Sequence, residues 1–242
     1  LIPYVWPLVD GFASPHFLDT ARAKRKELLA TLGRTFGDRL SVNEHWARIS
    51  GDLKVEPNTW LPKVYLCVGR RSFWPVVSAL AQSPDLVGVC NGFKIFAGRT
   101  ELKAFRQSYR RPDKIVFYAP QPALGRLMHR LNDFVRGRQC HGIRHTGRPE
   151  EYGLPGAKGL YVGIDPLFLG ALSWRIYRAV AIHWLSLNRA FVQEEWGSID
   201  HWLERMNLDL RSEGPRSLRP SKRDRAFIRA NWAEMFAEGV SL

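Results

Sequence analysis

The chain of 242 residues is short of several things, and each shortage excludes something. It has three cysteines, Cys67, Cys90 and Cys140, odd in number and far apart. Such spacing makes neither a disulfide framework nor a zinc pattern, and it fits a reducing, cytoplasmic setting. Cys67 and Cys90 lie in apolar contexts and are expected as core thiols. No apolar run is long enough for a transmembrane helix. The opening segment 1–7 is apolar but Pro-broken and lacks the charged start of a signal peptide. No initiator methionine precedes Leu1, which suggests that sequence is missing upstream. A phosphate-binding P-loop, a dinucleotide glycine fingerprint, a nucleophile elbow and a His-Glu-x-x-His helix are all absent. Glu150 and Glu151 are adjacent and unpatterned, unlike the carboxylate pair of glycoside hydrolysis. His141 and His145 stand four apart in a loop with no third ligand beside them, so no metal is expected there.

Acidic residues are also few: 23 Asp and Glu face 36 Lys and Arg, a net charge of +13. A surplus of that size fits nucleic acid, an acidic peptide, a phosphorylated substrate or an anionic membrane, and charge alone does not separate them. The apolar share, 45%, is enough for a packed interior.

What the chain does have is a middle third of short β-like runs, each carrying a cation or a phenol. The first, 63–69, holds Lys63 and Tyr65 and leads to Arg70. The second, 92–97, holds Lys94. The third, 113–119, holds Lys114 and Tyr118 and follows Arg111. A lysine within an apolar run is costly unless it has a partner. Several cations on one sheet face would make a socket for a dianion, because alternate residues of a strand share a face.

Around these runs the pattern is helical. Ser14 and Pro15 start a helix that carries Leu28, Leu29 and Leu32 and is expected to stop at Gly33. A second short helix is expected over 42–49, then a polar linker over 52–61. Helices are predicted at 73–82 and at 123–136, the latter with Leu124, Leu127, Met128, Leu131, Phe134 and Val135 on one face. The Gly-rich stretch 137–159 reads as a functional loop, and 159–165 as a strand. Ser173 caps a helix over 174–192 with Ile176, Val180, Ala181, Trp184 and Leu187 inward. Ser198 caps another, and Ser221 with Asp224 resembles a capping box for the last. The expected class is α+β: a small mixed β-sheet core with helices, flanked by N- and C-terminal helical segments. The expected divisions are 1–58, an α+β core at 59–192, and a C-terminal helical extension at 193–242.

Two further features bear on function. Ser173, Arg175 and Arg178 open a helix, and a helix start with free amides, a hydroxyl and arginines can seat a phosphate. Nine tryptophans among many arginines invite a base-stacking reading. Trp184, Trp202 and Trp232, however, fall at helix-periodic apolar positions, where core packing is the simpler account, so nucleic acid is not favoured.

The order of these motifs resembles a known family. It runs from Lys63 and Tyr65 through a helix to Phe93 and Lys94, then to Tyr109, Arg110, Arg111, Asp113 and Tyr118. A second helix, a Gly-rich loop and the start at Ser173, Trp174 and Arg178 follow. This is similar to the HopA-type family of plant-pathogen type III effectors, whose relatives include stand-alone lyases of class V lanthipeptide and thioamitide biosynthesis. The resemblance covers roughly residues 60–190. It implies kinship with the phosphothreonine lyases, which remove phosphate from phosphorylated Ser or Thr by β-elimination. In this chain it implies Lys94 as the base, which serves if desolvation and neighbouring cations ease its deprotonation. It implies Arg70, Arg111, Arg175 and Arg178 with Ser173 as the phosphate seat. Tyr65, Tyr118 and Lys114 become candidates for the acid or the anchor. The phosphothreonine lyases carry a histidine acid on the first strand; here that strand offers Tyr65 and Cys67, so His141 or His145 are further candidates for the acid. The resemblance implies no cofactor and no metal. It implies a phosphorylated precursor peptide as partner, and a separate kinase that acts first. The setting would be cytoplasmic, or a host cell for a secreted effector. The alternatives are a non-catalytic phosphopeptide-binding subunit and a basic nucleic-acid-binding protein.

Overall fold

The computed structural model describes residues 15–43, 46–68, 73–97, 114–137, 154–155, 159–170, 172–210, 215–218 and 221–240. Helix α1 (Pro15–Phe36) leads into strands β1 (Leu40–Val42), β2 (Trp46–Ser50) and β3 (Trp60–Leu66). Helix α2 (Phe73–Ala81), strands β4 (Gly92–Phe96) and β5 (Ile115–Tyr118) and helix α3 (Leu124–Arg136) follow. After β6 (Leu154–Pro155) and β7 (Leu160–Pro166) the chain is helical, with α4 (Trp174–Leu187), α5 (Arg189–Trp196), α6 (Ile199–Arg205) and α7 (Lys222–Val240). The class is α+β. The strands form one seven-stranded sheet in the order β1-β2-β4-β5-β3-β7-β6. Among the described residues every strand pair is antiparallel, where a mixed sheet was expected.

Register explains what each face of the sheet does. Leu40, Ile49, Phe93, Phe117, Val64, Val162 and Leu154 are partners in one row across the sheet. Of these, Ile49, Phe93, Phe117 and Val64 enter an apolar cluster with Leu28, Leu32 and Phe36 of α1, Val76, Val77 and Leu80 of α2, and Leu127 and Leu131 of α3. A spacing of three or four residues along these helices is the stripe that a sheet face needs for burial. Phe36 meets Phe93 edge-on at 5.7 Å, and Phe93 stacks on Phe117 at 5.0 Å.

Several local expectations change. The segment 42–49 is not a helix: Ala47 and Ile49 are buried while Arg48 and Ser50 are exposed, a period of two. Asn43 turns the hairpin, its Oδ1 accepting from the Trp46 amide at 2.8 Å. Helix α1 runs through Gly33 because the stripe continues to Phe36; Gly37, at φ 53°, ends it. The helix expected over 174–192 breaks at Asn188, whose backbone N–H and side-chain Nδ2 both donate to the Trp184 carbonyl. Ile176 and Leu187, expected inward, are exposed, while Trp174 and Tyr177 are buried. At the start of β4, Gly92 (φ 156°) lies so close to β2 that a Cβ would come within 2.6 Å of the Ile49 carbonyl.

A second apolar cluster gathers Trp60 at the start of β3, Ile164 of β7, Phe168, and the inner faces of α4 to α7. It is aromatic at its centre: Trp60 packs on Phe168 at 4.9 Å and on Tyr177 at 5.9 Å, and Tyr177 stacks on Trp232 at 5.3 Å. The Tyr177 hydroxyl donates to the Met206 carbonyl at 2.6 Å, which satisfies it inside the cluster. Ser221 and Asp224 make the capping box, with the Asp224 amide donating to Ser221 Oγ and the Ser221 amide donating to Asp224 Oδ2, each at 3.0 Å.

Candidate functional site

The sheet face opposite the helices α1 to α3 carries the polar side chains. One row of Cα partners across it reads Ser41, Arg48, Lys94, Val116, Tyr65, Tyr161 and Pro155. The next row reads Ser50, Gly92, Tyr118, Lys63 and Gly163. Side chains that are partners in an antiparallel sheet share a face, so Lys94, Tyr65, Tyr118 and Lys63 lie together. Lys94 and Tyr65 stand two strands apart, about 10 Å between Cα atoms, with the smaller Val116 between them.

Lys94 is half-buried, and its Nζ lies 4.4 Å from the centroid of the Trp46 ring and 5.6 Å from that of Tyr118. Trp46 is itself braced edge-on by Phe96 at 5.6 Å. Two aromatic faces thus hold the ammonium through the negative side of their ring quadrupoles.

Lys63 and Asp165 form a buried ion pair. Lys63 also lies over the Tyr65 ring, 5.2 Å from its centroid. Gly163 makes room for both: a Cβ there would come within 3.2 Å of Lys63 Cε and of Tyr65 Cε2. The Asp165 carboxylate accepts a second hydrogen bond, 2.7 Å, from the Trp174 amide at the start of α4. The phenol of Tyr118 is held protonated well beyond its ordinary range, chiefly because burial penalises the phenolate. Lys63 opposes this, Asp165 and Tyr65 reinforce it, and Arg48 opposes it weakly. The face therefore holds an ammonium between two aromatic rings and at least one phenol that keeps its proton.

The residues expected from sequence do not all meet. Lys94, Tyr65 and Tyr118 share the face. Lys114 is buried beside β5, its Nζ 5.8 Å from the Phe73 ring centroid at the start of α2, while its carbonyl accepts from the Phe96 amide. Ser173 caps α4, accepting from the Ile176 amide. The first amide of that helix is engaged by Asp165 rather than free for an anion. Arg175 is exposed and Arg178 half-buried. The helix starts beyond β7, and Lys94 lies three strands from β7, roughly 14 Å across the sheet. Arg70, Arg111, His141, His145 and Cys140 lie outside the described residues. Cys67 and Cys90 are buried free thiols. Among the described residues no cluster of three or more His, Cys, Asp or Glu could hold a metal, and no helix is long and apolar enough to cross a membrane.

Arg48, Trp46, Gly163 and Asp165 belong to this face and were not selected from the sequence, and Lys63 was noted there as a strand cation but given no role. Arg48 and Trp46 were hidden by the helical reading of 42–49. Lys63 and Asp165 left a signal, since each is a charge in an apolar strand and each needed an opposite charge.

No family model matches the chain, and no curated protein matches it. Two solved structures are similar in part. The effector protein from Pseudomonas syringae pv. tomato strain DC3000 is 15% identical, with a TM-score of 0.41 over 60% of this chain and 64% of that one. The chain thus spans just under two thirds of that effector. The type III effector/phosphothreonine lyase OspF from Shigella flexneri is 10% identical, with a TM-score of 0.35 over 62% of this chain and 96% of that one. Both are partial likenesses at low identity, and the functional reading rests on the residues of this chain.

Proposed function

We propose that the chain is a lyase that eliminates phosphate from phosphoserine or phosphothreonine in a peptide, leaving dehydroalanine or dehydrobutyrine. The observation that carries this reading is the pair Lys94 and Tyr65, facing each other across Val116 on a face that also holds Lys63 and the protonated Tyr118. β-Elimination needs a base at the α-carbon and donors at the leaving oxygen, and those are the groups present. Neutral Lys94 takes the α-proton, the Cα–H electrons form the Cα–Cβ double bond, and the Cβ–O bond breaks. The phosphate departs with that electron pair, hydrogen-bonded by Tyr118 and protonated by Tyr65 or by solvent. Arg70 and Arg111 remain candidates for holding its charge, whereas Arg175 and Arg178, at the start of α4 beyond β7, stand apart from Lys94. The phosphoester must be installed beforehand, so a kinase acting on the same peptide is implied.

The test is mass spectrometry of a phosphoserine peptide and a phosphothreonine peptide after incubation with the protein. Loss of the elements of phosphoric acid is expected from wild type. Lys94→Ala should cut the rate by roughly two to four orders of magnitude, the usual worth of a general base. An unchanged rate in that variant would overturn the assignment of the base. Binding of both peptides with no elimination would leave the face as a recognition site, and the non-catalytic reading would replace this one.

A further inference from the structure

Helix α4 buries one side and leaves an apolar stripe open on the other. Trp174, Tyr177, Ala181, Trp184 and Leu185 enter the aromatic cluster. On the far side Ile176, Ala179, the half-buried His183 and Leu187 recur at three and four residues, and Ala190 and Phe191 of α5 continue that spacing. The Asn188 amide donates to the Trp184 carbonyl at 3.0 Å and the Val192 amide to the Asn188 carbonyl at 2.9 Å, so helical bonding persists on both sides of the break at Asn188. Trp184 meets Phe191, seven residues on, edge-to-face at 6.3 Å, which is two turns along one face, and the stripe therefore runs across the break. Ile176, Leu187 and Phe191 are 51%, 62% and 48% exposed. They are three of the six large apolar side chains that lie open among the described residues. One such side chain in water needs no explanation, whereas three on one stripe mark a surface for association.

The charges at the two ends of the stripe say what covers it. The first turn of α4 has no acid and carries Arg175. The last turn of α5 has no base and carries Glu194 and Glu195. A cation at a helix start and carboxylates at a helix end each oppose the macrodipole of their own helix. We infer that the stripe is a two-fold interface, and that its occupant is the same stripe of a second copy of this chain laid antiparallel. That arrangement turns both mismatches into attractions, because Arg175 then meets the C-terminal turn of α5 in the other copy, with its Glu194. An isologous contact needs a surface complementary to itself, and this one is, since the axis falls by His183, midway between Ile176 and Phe191. Ile176 of one copy then packs by Phe191 of the other, and the small Ala179 and Ala190 let the helices approach. The net charge of +13 repels two copies at long range, but Arg175 and Arg189 balance Glu194 and Glu195 along the stripe itself. The inference is independent of the lyase reading, because the stripe lies on the helical half of the molecule.

The test is the mass in solution, by sedimentation equilibrium of the full chain over a range of concentrations. Wild type is expected to reach twice the chain mass, with a Kd on the order of micromolar for so small an interface. Leu187→Asp should weaken it by about 100-fold or more, since it buries two carboxylates in an apolar contact. Ile176→Asp repeats the test at the other end of the stripe, where an acid suits the start of α4 and the fold is kept. Glu194→Arg should weaken the dimer by roughly tenfold, and its melting temperature, measured where the protein is monomeric, should not fall, because the new cation suits the end of α5. A wild type that stays monomeric at roughly 100 μM would overturn the inference and leave the stripe to a different protein. A dimer that survives both Leu187→Asp and Ile176→Asp would overturn it as well, by placing the interface elsewhere. A dimer that Glu194→Arg leaves unchanged or tightens would overturn the antiparallel pairing.

Discussion

A buried thiol, a buried phenol and a half-buried phenol in this molecule keep their protons further into alkali than water would allow. Burial pushes the Cys90 thiol from the ordinary 9.0 up to about 12, with Asp52 adding slightly and a backbone hydrogen bond from Gly92 opposing. Tyr118 and Tyr177 are raised by burial in the same way. The sign of the consequence is fixed by linkage. Above pH 9.0 the unfolded chain releases the thiol proton and the folded chain retains it to about 12, so the folded state binds more protons through that window. Stability contributed by these groups is whole below the ordinary values and is lost as pH rises. Each contributes a slope of up to about 1.4 kcal/mol per pH unit. Urea midpoints measured from neutral to alkaline pH should therefore fall beyond about pH 9, and Cys90→Ala and Tyr118→Phe should each flatten the decline relative to their own neutral values. Midpoints that hold steady into alkali in wild type would show that these side chains are not buried as described. The same burial at Tyr118 serves the proposed chemistry, because a phenol that stays protonated at neutral pH can donate to a departing phosphate.

At the scale of elements, α1 shows how a glycine acts by its backbone angle rather than by its identity. Gly33 is inside the helix, and a Cβ there would meet nothing within 4 Å; Gly37, just past the end, has φ 53° and an equally open surrounding. Gly33→Ala should stabilise by roughly 0.5–1 kcal/mol, since it removes backbone freedom from the unfolded chain at a helical position. Gly37→Ala should destabilise by a similar or greater amount, because an L side chain is strained in the left-handed region. Opposite shifts of the chemical-denaturation midpoint are expected, and shifts of the same sign would place the helix end elsewhere. From sequence the first glycine was taken as the stop, because the apolar stripe was traced only to Leu32 and not to Phe36. Legibility followed periodicity elsewhere too. The helix carrying Leu127 and Leu131, the strand carrying Phe93 and Ile95, and the Ser221 and Asp224 cap were readable, because local pattern and tertiary packing agree there. The segment 42–49 was not, since a five-residue strand offers only two buried positions, Ala47 and Ile49, to set against helix-forming neighbours. Lys94, Tyr65 and Tyr118 were legible as charges and phenols in strands. Arg48 became visible only once antiparallel register put it opposite Lys94, a long-range pairing that no local window contains.

Among the described residues the two larger apolar clusters meet along β3 and β7. One lies between the sheet and α1 to α3, the other among α4 to α7, and Trp60 and Ile164 carry the sheet's strands into the second. Asp165 is the polar counterpart of that junction, because one carboxylate accepts from Lys63 on β3 and from the first amide of α4. Its removal leaves a buried ammonium without its counter-charge and a helix start without its acceptor. Asp165→Ala should therefore cost about 3–5 kcal/mol, the range for breaking a buried pair by taking one partner away. Replacing both partners by apolar residues, Lys63→Met with Asp165→Leu, should recover most of that loss, since a desolvated pair gives little net stability over good packing. The mode of unfolding should change as well. With the junction intact, tryptophan fluorescence, weighted toward the helical cluster by Trp174, Trp184, Trp202 and Trp232, should follow the same denaturant transition as far-ultraviolet circular dichroism. In Asp165→Ala the fluorescence transition should move to lower denaturant, as the helical cluster loosens before the sheet does. Coincident transitions in the variant, with a loss of 3–5 kcal/mol, would mean that the aromatic contacts from Trp60 to Tyr177 suffice to keep the halves cooperative. A loss below about 1 kcal/mol would mean that the pair is hydrated like a surface salt bridge.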